Sequence, residues 1–186
     1  MANTALLLLM LMITSSLMAL MKAEWAESVE ARKEATPSET VTNLQFYFHD
    51  TVSGNNPSAV RVAQAVGTDK SPTIFGALLM ADDPLTETPD PNSKLVGRAQ
   101  GVYGSSGQQE LALFMAMSFS FTFTDGTYNG SSISVFGKNP ALNPVPELPV
   151  VGGTGSLISN RYAIASTHWF DVSGDDIVRY NVIVIH

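Results

Sequence analysis

The stretch Glu110–Phe136, ELALFMAMSFSFTFTDGTYNGSSISVF, decides the fold class of this chain. Its first half alternates: every second residue from Leu111 to Phe123 is apolar, and the residues between them include Ser118 and Ser120. An alternation of period two places the apolar side chains on one face of an extended chain, which is typical of a β-strand with one buried face. We therefore predict a long two-faced strand here.

The second half of the stretch predicts a β-hairpin. It contains two turn signals, Asp125-Gly126 and Asn129-Gly130, and then a further extended run, SISVFG. Both residue pairs favour tight hairpin turns, and the sequence leaves open which of them forms this one. Asn129 also begins the N-glycosylation triplet Asn-Gly-Ser, so it is predicted as a glycosylation site of a secreted chain.

Similar extended runs recur through the rest of the chain. They are LQFYFHD, FGALLMA, KLVGRAQGVYG, RYAIASTHWFD and DIVRYNVIVIH. Turn-forming residues bound each run, and none has a sustained helical period, so we predict an all-β fold. The last run is apolar on both faces, which favours a barrel wall packed against a neighbouring subunit; cover by a loop or the amino-terminal arm is the alternative.

Composition narrows the class of protein. The 186 residues are 45% hydrophobic and 15% charged, as expected for one globular domain with a sizeable core. The net charge of −7 disfavours nucleic acid and anionic membranes as partners and favours small neutral ligands. The absence of cysteine excludes disulfides, thiolate catalysis and cysteine-based zinc sites.

The amino terminus predicts secretion. Residues 1–23 contain an apolar block, Ala5–Ile13, followed by Thr-Ser-Ser, and are predicted as a signal peptide. An uncleaved signal anchor is the alternative, because the apolar run approaches the length that spans a bilayer. Residues 24–40 are predicted as a flexible polar arm, and residues 41–186 as the β-barrel domain.

One acidic residue stands among the apolar positions of a strand. In LQFYFHD, the side chains of Leu44, Phe46, Phe48 and Asp50 share one face. An unpaired buried charge is costly, so a carboxyl there is paired, neutralised or placed in a cavity that uses it. The alternative is that Asp50 ends the strand and caps the following turn, DTVSGNNP.

Two other groups of polar residues are given structural interpretations. Asp82-Asp83-Pro84 is interpreted as a turn, because adjacent strand residues point apart and cannot share one proton. His49 and His168 have no second ligand at a telling spacing, so no metal site is predicted.

The extended runs contain motifs that, in this order, resemble the plant dirigent protein family. The motifs are FYFHD (46–50), FGALLMADDPLT (75–86), VGRAQGVY (96–103), GSSISVFGKNP (130–140), LPVVGGTG (148–155) and THWFD (167–171). The resemblance implies an antiparallel eight-stranded β-barrel of the dirigent and allene oxide cyclase type with a ligand cavity inside it. It also implies a homo-oligomer, with a trimer favoured over a dimer.

The same resemblance implies a function. Dirigent proteins of the apoplast direct the stereochemistry of phenoxy-radical coupling, for example of coniferyl alcohol to lignans such as pinoresinol. An oxidase or laccase supplies the radicals, and no cofactor is expected in the chain. The segment NPSAVRVA resembles the sequences of one branch of the family. That branch contains pterocarpan synthases, which close a ring on an isoflavonoid alcohol by loss of water. A non-catalytic protein that binds phenolics or carbohydrate in defence is the third alternative.

Residue roles carry over from the motifs. Asp50 is the predicted catalytic residue, able to exchange a proton with a phenol or quinone methide oxygen. Tyr103, Thr167, Asn139 and Phe48 are the predicted substrate-binding residues. Arg98 is interpreted as a structural salt-bridge partner.

Four positions depart from the family pattern. Asn139 stands where pinoresinol-forming members have an acid, and Pro146 stands where they have an arginine. Neither residue delivers a proton at neutral pH, and Arg161 is one place displaced from another family arginine. These departures argue against pinoresinol as the product, although not against the cavity. Ser105, in place of a second family tyrosine, predicts a roomier cavity.

Overall fold

The computed structural model describes residues 41–122, 128–158, 161–170 and 174–185, and this part of the chain forms ten β-strands. They are β1 (Val41–Asp50), β2 (Ala59–Ala63), β3 (Leu78–Thr86), β4 (Leu95–Ser105), β5 (Leu113–Phe121), β6 (Ser131–Asn139), β7 (Glu147–Leu148), β8 (Val150–Thr154), β9 (Arg161–Phe170) and β10 (Asp176–Ile185). Two 3-10 turns, Thr68–Lys70 and Gly155–Leu157, complete the described elements. Within these residues no helix has the length and apolarity needed to span a membrane. The predicted signal peptide and arm lie outside them.

The strands form one antiparallel sheet that closes on itself. Their order is β9-β10-β1-β3-β4-β5-β6-β8, and β7 pairs with β9. β7 and β8 are one extended segment interrupted at Pro149, which has no N–H to continue a ladder. Because this segment bonds β9 with its first part and β6 with its second, it joins the two edges into a ring of eight. The predicted antiparallel eight-stranded barrel is confirmed, and β2 adds an extra strand beside β3.

The barrel interior is apolar and aromatic over most of its length. The buried inward residues include Phe46 and Phe48 of β1, Met115, Met117, Phe119 and Phe121 of β5, and Val178, Tyr180, Val182 and Val184 of β10. The rings of Phe119 and Tyr180 lie 5.1 Å apart, and those of Phe46 and Phe119 lie 5.7 Å apart, edge to face. This aromatic cluster fills the barrel on one side of Phe48, so an interior cavity is left on the other side, toward Asp50.

The predicted hairpin between β5 and β6 is present, and the second turn signal lies in a turn immediately before β6. The Gly130 N–H donates to the Phe121 carbonyl oxygen at 2.7 Å, and Gly130 has a φ of +77°. Asp125-Gly126 lies outside the described residues. Asn129 is exposed in the turn that precedes β6, and its glycosylation stays a prediction.

Candidate functional site

A cavity of about 580 Å³ opens at the end of the barrel where β1 ends. Its apolar wall includes Ala59, Val60, Ile74, Leu79, Leu111 and Leu113, and its polar groups come from Asp50, Arg61, Tyr103, Ser105 and Asp176. A mostly apolar cavity of this volume with a few convergent polar groups suits one or two small organic molecules.

Asp50 projects into this cavity from the last position of β1, as the alternation predicts. Its Oδ1 is buried and has no hydrogen-bond partner among the described residues. Burial raises the pKa of Asp50 to about 6, although a hydrogen bond from the Tyr103 hydroxyl opposes part of this effect. A carboxyl with this pKa is present in both protonation states near neutral pH, so it is suited to accept or donate a proton.

Tyr103 of β4 stands beside Asp50, and only 5% of it is exposed. Burial, together with the negative charge of Asp50, raises the pKa of the Tyr103 hydroxyl above its ordinary range. The hydroxyl therefore remains protonated at physiological pH and acts as a hydrogen-bond donor to Asp50 or to a bound phenol.

Two further predicted binding residues lie just beneath Asp50. A small void of about 20 Å³ is lined by Phe48, Asp50, Asn139, Tyr180 and others. Asn139 is buried, and its Oδ1 has no hydrogen-bond partner within the described part of the chain. A polar void of this size holds about one water molecule. Phe48 and Asn139 thus form the floor below the main cavity, and their roles toward a ligand stay predictions.

The interpretation of Asp82-Asp83-Pro84 as a turn is wrong, because all three residues lie within β3. Adjacent strand residues do point apart: Asp82 is exposed, whereas Asp83 is completely buried. Burial raises the pKa of Asp83 to about 8, and the nearby charge of Asp50 adds to this shift. Asp83 is therefore a neutral carboxylic acid at pH 7.

Asp176 is a third acid that sequence reasoning missed. It lies directly opposite Asp50 in the β1–β10 register, is 7% exposed and borders both the cavity and the small void. The sequence contains a signal that could have found it. Asp176, Val178 and Tyr180 are alternate residues of one strand and so share a face, just as Phe48 and Asp50 do.

The cavity mouth is fixed by a side-chain clamp. The Asp175 carboxylate accepts hydrogen bonds from the backbone N–H groups of Val52 and Ser53, at 2.9 and 3.0 Å, and from the Ser53 hydroxyl at 2.9 Å. These bonds tie the loop that follows Asp50 to the residues that precede β10. Asp50 is thereby held on an anchored strand end.

The remaining singled-out residues lie elsewhere. Arg98 pairs with Asp82 at 2.5 Å on the outer face, in agreement with its structural interpretation. The Nε2 atom of buried His49 lies 2.7 Å from the Thr86 hydroxyl. Thr167 and Arg161 belong to β9, whose side chains lie outside the described part of the structure. The predicted binding role of Thr167 therefore stays a prediction.

The fold and the site together define a class: a closed antiparallel barrel that holds an acidic group inside a largely apolar cavity. Comparisons with known proteins identify the family. Residues 41–185 match the family model described as dirigent-like protein, so the chain belongs to the dirigent family.

Curated relatives and solved structures place it more closely. The chain is 61% identical over 157 residues to dirigent protein 23 of Arabidopsis thaliana, covering 83% of each chain. It is 43% identical over 175 residues to pterocarpan synthase 1 of Glycine max, covering 92% of this chain and 93% of the other. The structure of the pterocarpan synthase dirigent protein GePTS1 matches with a TM-score of 0.72 and 39% identity, over 88% of this chain and 99% of that one.

Proposed function

We propose that this protein is a dirigent protein that binds phenol-derived intermediates in its barrel and imposes stereochemistry on their coupling. The observation that carries the proposal is the Asp50 carboxyl, which stands in the apolar cavity with a pKa raised to about 6 by burial. Radicals are made elsewhere by an oxidase or laccase, and the chain supplies chiral confinement and one proton-transfer group.

The chemistry proposed for Asp50 follows from the coupling reaction. Two phenoxy radicals, such as those of coniferyl alcohol, join through a new carbon–carbon bond and leave quinone methide groups. When a hydroxyl adds to a quinone methide carbon, the hydroxyl loses a proton and the quinone methide oxygen gains one. Asp50 donates that proton to the oxygen and Tyr103 hydrogen-bonds the phenol, so that one face of the intermediate reacts.

A second candidate, a pterocarpan synthase-type dehydratase, is favoured by two observations. One is the 43% identity to a pterocarpan synthase over nearly the whole chain. The other is Asn139, which leaves no second acid at that position of the cavity floor. In this reaction Asp50 protonates the departing hydroxyl, which leaves as water, and a phenol of the substrate returns a proton to Asp50 as the quinone methide forms. A second hydroxyl of the substrate then adds to the quinone methide carbon, its proton passes to the quinone methide oxygen, and the ring closes.

Chiral chromatography separates the two candidates. With coniferyl alcohol and a laccase, the first predicts an enantiomeric excess at unchanged total conversion, and a racemic product would count against it. With a 4-hydroxy-isoflavan and no oxidant, the second predicts protein-dependent loss of water. Asp50→Asn should lower either activity about 10²- to 10⁴-fold. Asp82→Asn, on the outer face, is the matched control and should retain full activity.

We also propose that the barrel associates with copies of itself. A row of apolar side chains crosses the outer face of four strands in register: Met80, Val102, Ala116 and Phe136. Phe136 is 52% exposed and packs edge to face on Phe114 at 5.0 Å. Light scattering should give a trimer or dimer that Phe136→Glu dissociates. The outer face of β10, predicted from the sequence as a subunit contact, is tested in the same way with Ile183→Glu. A monomeric wild-type protein would contradict this.

Secretion to the apoplast and glycosylation at Asn129 complete the proposal. They are supported by the apolar amino-terminal segment and by the exposed position of Asn129 in the turn before β6. Mass spectrometry of the protein from plant cell wall fluid should find the chain without residues 1–23 and with a glycan on Asn129. A chain that keeps its amino terminus would favour the anchor.

A further inference from the structure

Three carboxyl groups line up across three neighbouring strands of the barrel interior. Asp176 of β10 is the register partner of Asp50 of β1. On the other side of β1, the ladder to β3 ends at the pair Phe48 and Leu85. Two residues further along the same antiparallel register, Asp50 and Asp83 occupy opposite positions, and both belong to the inward-facing set of their strand.

The ladder stops between these two acids for a physical reason. Pro84 has no N–H to donate, and β3 changes its neighbour here, from β1 to β2. On the far side of this change, the Asp82 N–H donates to the Ser58 carbonyl oxygen at 2.9 Å. Asp83 therefore lies at a gap between two strand pairings, where its carboxyl faces the barrel interior beside Asp50.

Among the described residues, no atom accepts a hydrogen bond from the carboxyl group of Asp83. Both of its oxygens are buried and unpartnered among the described residues. The nearby Ser58 hydroxyl accepts from the Thr51 N–H at 3.1 Å and lies 3.4 Å from the His49 carbonyl oxygen. A hydrogen bond from Ser58 lowers the pKa of Asp83, but by less than burial raises it. A fully buried carboxyl of this kind is neutral, and its O–H requires an acceptor.

We propose that Asp83 is a positioning residue of the cavity, whose carboxylic acid donates a hydrogen bond to Asp50 Oδ1, directly or through one water, so that the two groups share one proton. Asp50 Oδ1 is the buried unpartnered acceptor that the register places opposite. The shared proton holds the Asp50 carboxyl in one orientation and stabilises its anion after it has given a proton to a ligand. Only this last step depends on the proposed function.

The charges around the pair favour a single shared proton. The titratable groups that act on it from inside the barrel are Asp176 and Tyr180 of β10, Asp175 just before β10, and Tyr103 of β4. From the outer face, Arg98 of β4 and Asp82 of β3 also act on it. The negative groups oppose a second ionisation, whereas Arg98 favours it. Arg98 is also engaged by Asp82 on the outer face, so its effect on the interior is partly compensated.

Carboxyl ¹³C NMR titration of the full chain, with labelled aspartate and no ligand, tests the proposal. In the wild-type protein the Asp50 and Asp83 signals should each respond to two common steps, one for each proton of the pair. Asp83→Asn should convert the Asp50 curve to a single step, and Glu87→Gln, at an exposed acid just beyond the end of β3, should leave both steps unchanged. A single-step Asp83 curve near the ordinary aspartate range would overturn the proposal, as would an Asp50 curve unaltered by Asp83→Asn.

A rate measurement gives the functional consequence. Asp83→Asn should lower the rate of the Asp50-dependent reaction about tenfold and change its pH profile, with ligand affinity nearly unchanged. If no phenolic substrate reacts, the NMR titration still decides the proton sharing. If Asp83→Asn does not fold, the two-step behaviour of the wild-type signals decides it alone. If Asp50→Asn abolishes turnover while the wild-type titrations are independent, the proton sharing is wrong and the proposed function stands.

Discussion

Replacing Asp83 by asparagine is expected to change the pH dependence of stability in a way that reports directly on its buried carboxyl. The folded-state pKa of Asp83 is raised to about 8 from an ordinary value of 3.8, first because of burial and then because of Asp50. The folded protein thus keeps this group protonated, whereas the unfolded chain ionises it above pH 4. Stability from this group is complete in acid and is lost as the pH rises toward 8.

The expected magnitude follows from that difference. One pKa unit corresponds to about 1.4 kcal/mol, so over roughly three pH units the wild-type protein loses about 4 kcal/mol by pH 7. Asparagine has nearly the same shape and cannot ionise, so the variant avoids this loss. Its buried amide adds a cost of about 1–3 kcal/mol for unsatisfied donors, but that cost does not depend on pH. The slope with pH is therefore the diagnostic quantity.

Urea unfolding at intervals from pH 4 to pH 8 measures this slope. The free energy of unfolding of Asp83→Asn minus that of the wild-type protein should rise by about 4 kcal/mol between pH 4 and pH 7. Glu87→Gln, at an exposed acid just beyond the end of β3, controls for the loss of one negative charge and should give a difference nearly independent of pH. Parallel curves for Asp83→Asn and the wild-type protein would show that Asp83 is ionised in the folded state, and the reasoning would fail.

Three further predictions concern the frame of the cavity. Gly101→Ala should destabilise the barrel by about 2–4 kcal/mol in urea unfolding, because its Cβ would lie 2.3 Å from the Ala116 carbonyl oxygen at a φ of +151°; unchanged stability would contradict this. Asp175→Ala should lower the free energy of unfolding by about 2–3 kcal/mol and speed hydrogen exchange at the Val52 amide, because it removes the clamp on the cavity mouth. A Val52 amide that stays protected would show that another contact restrains this loop. Ile74→Gly should unfold at higher urea than Ile74→Ala, since Ile74 has a φ of +50° that glycine adopts without strain; the reverse order would refute the strain.

Much of the fold is readable from the alternation of residues along single strands. The runs that contain Phe46, Met117 and Val182 each repeat with period two, and each becomes a strand with the expected face buried. β2 and the broken segment β7–β8 gave no such signal. They are short, and Pro149 interrupts the second, so their places depend on the partners they bond, namely β3, β6 and β9.

The candidate site likewise has one part that the sequence predicts and another that depends on the tertiary structure. The alternation of LQFYFHD by itself determined that the Asp50 side chain shares the face of Phe46 and Phe48, because side-chain direction in a strand depends only on position along it. Only the tertiary structure decided that Asp83 and Asp176 become its neighbours, since cross-strand register joins residues more than 30 and 120 positions apart. A carboxyl's proton affinity depends on the solvent and charge around it in space, and that environment exists only once the barrel has closed.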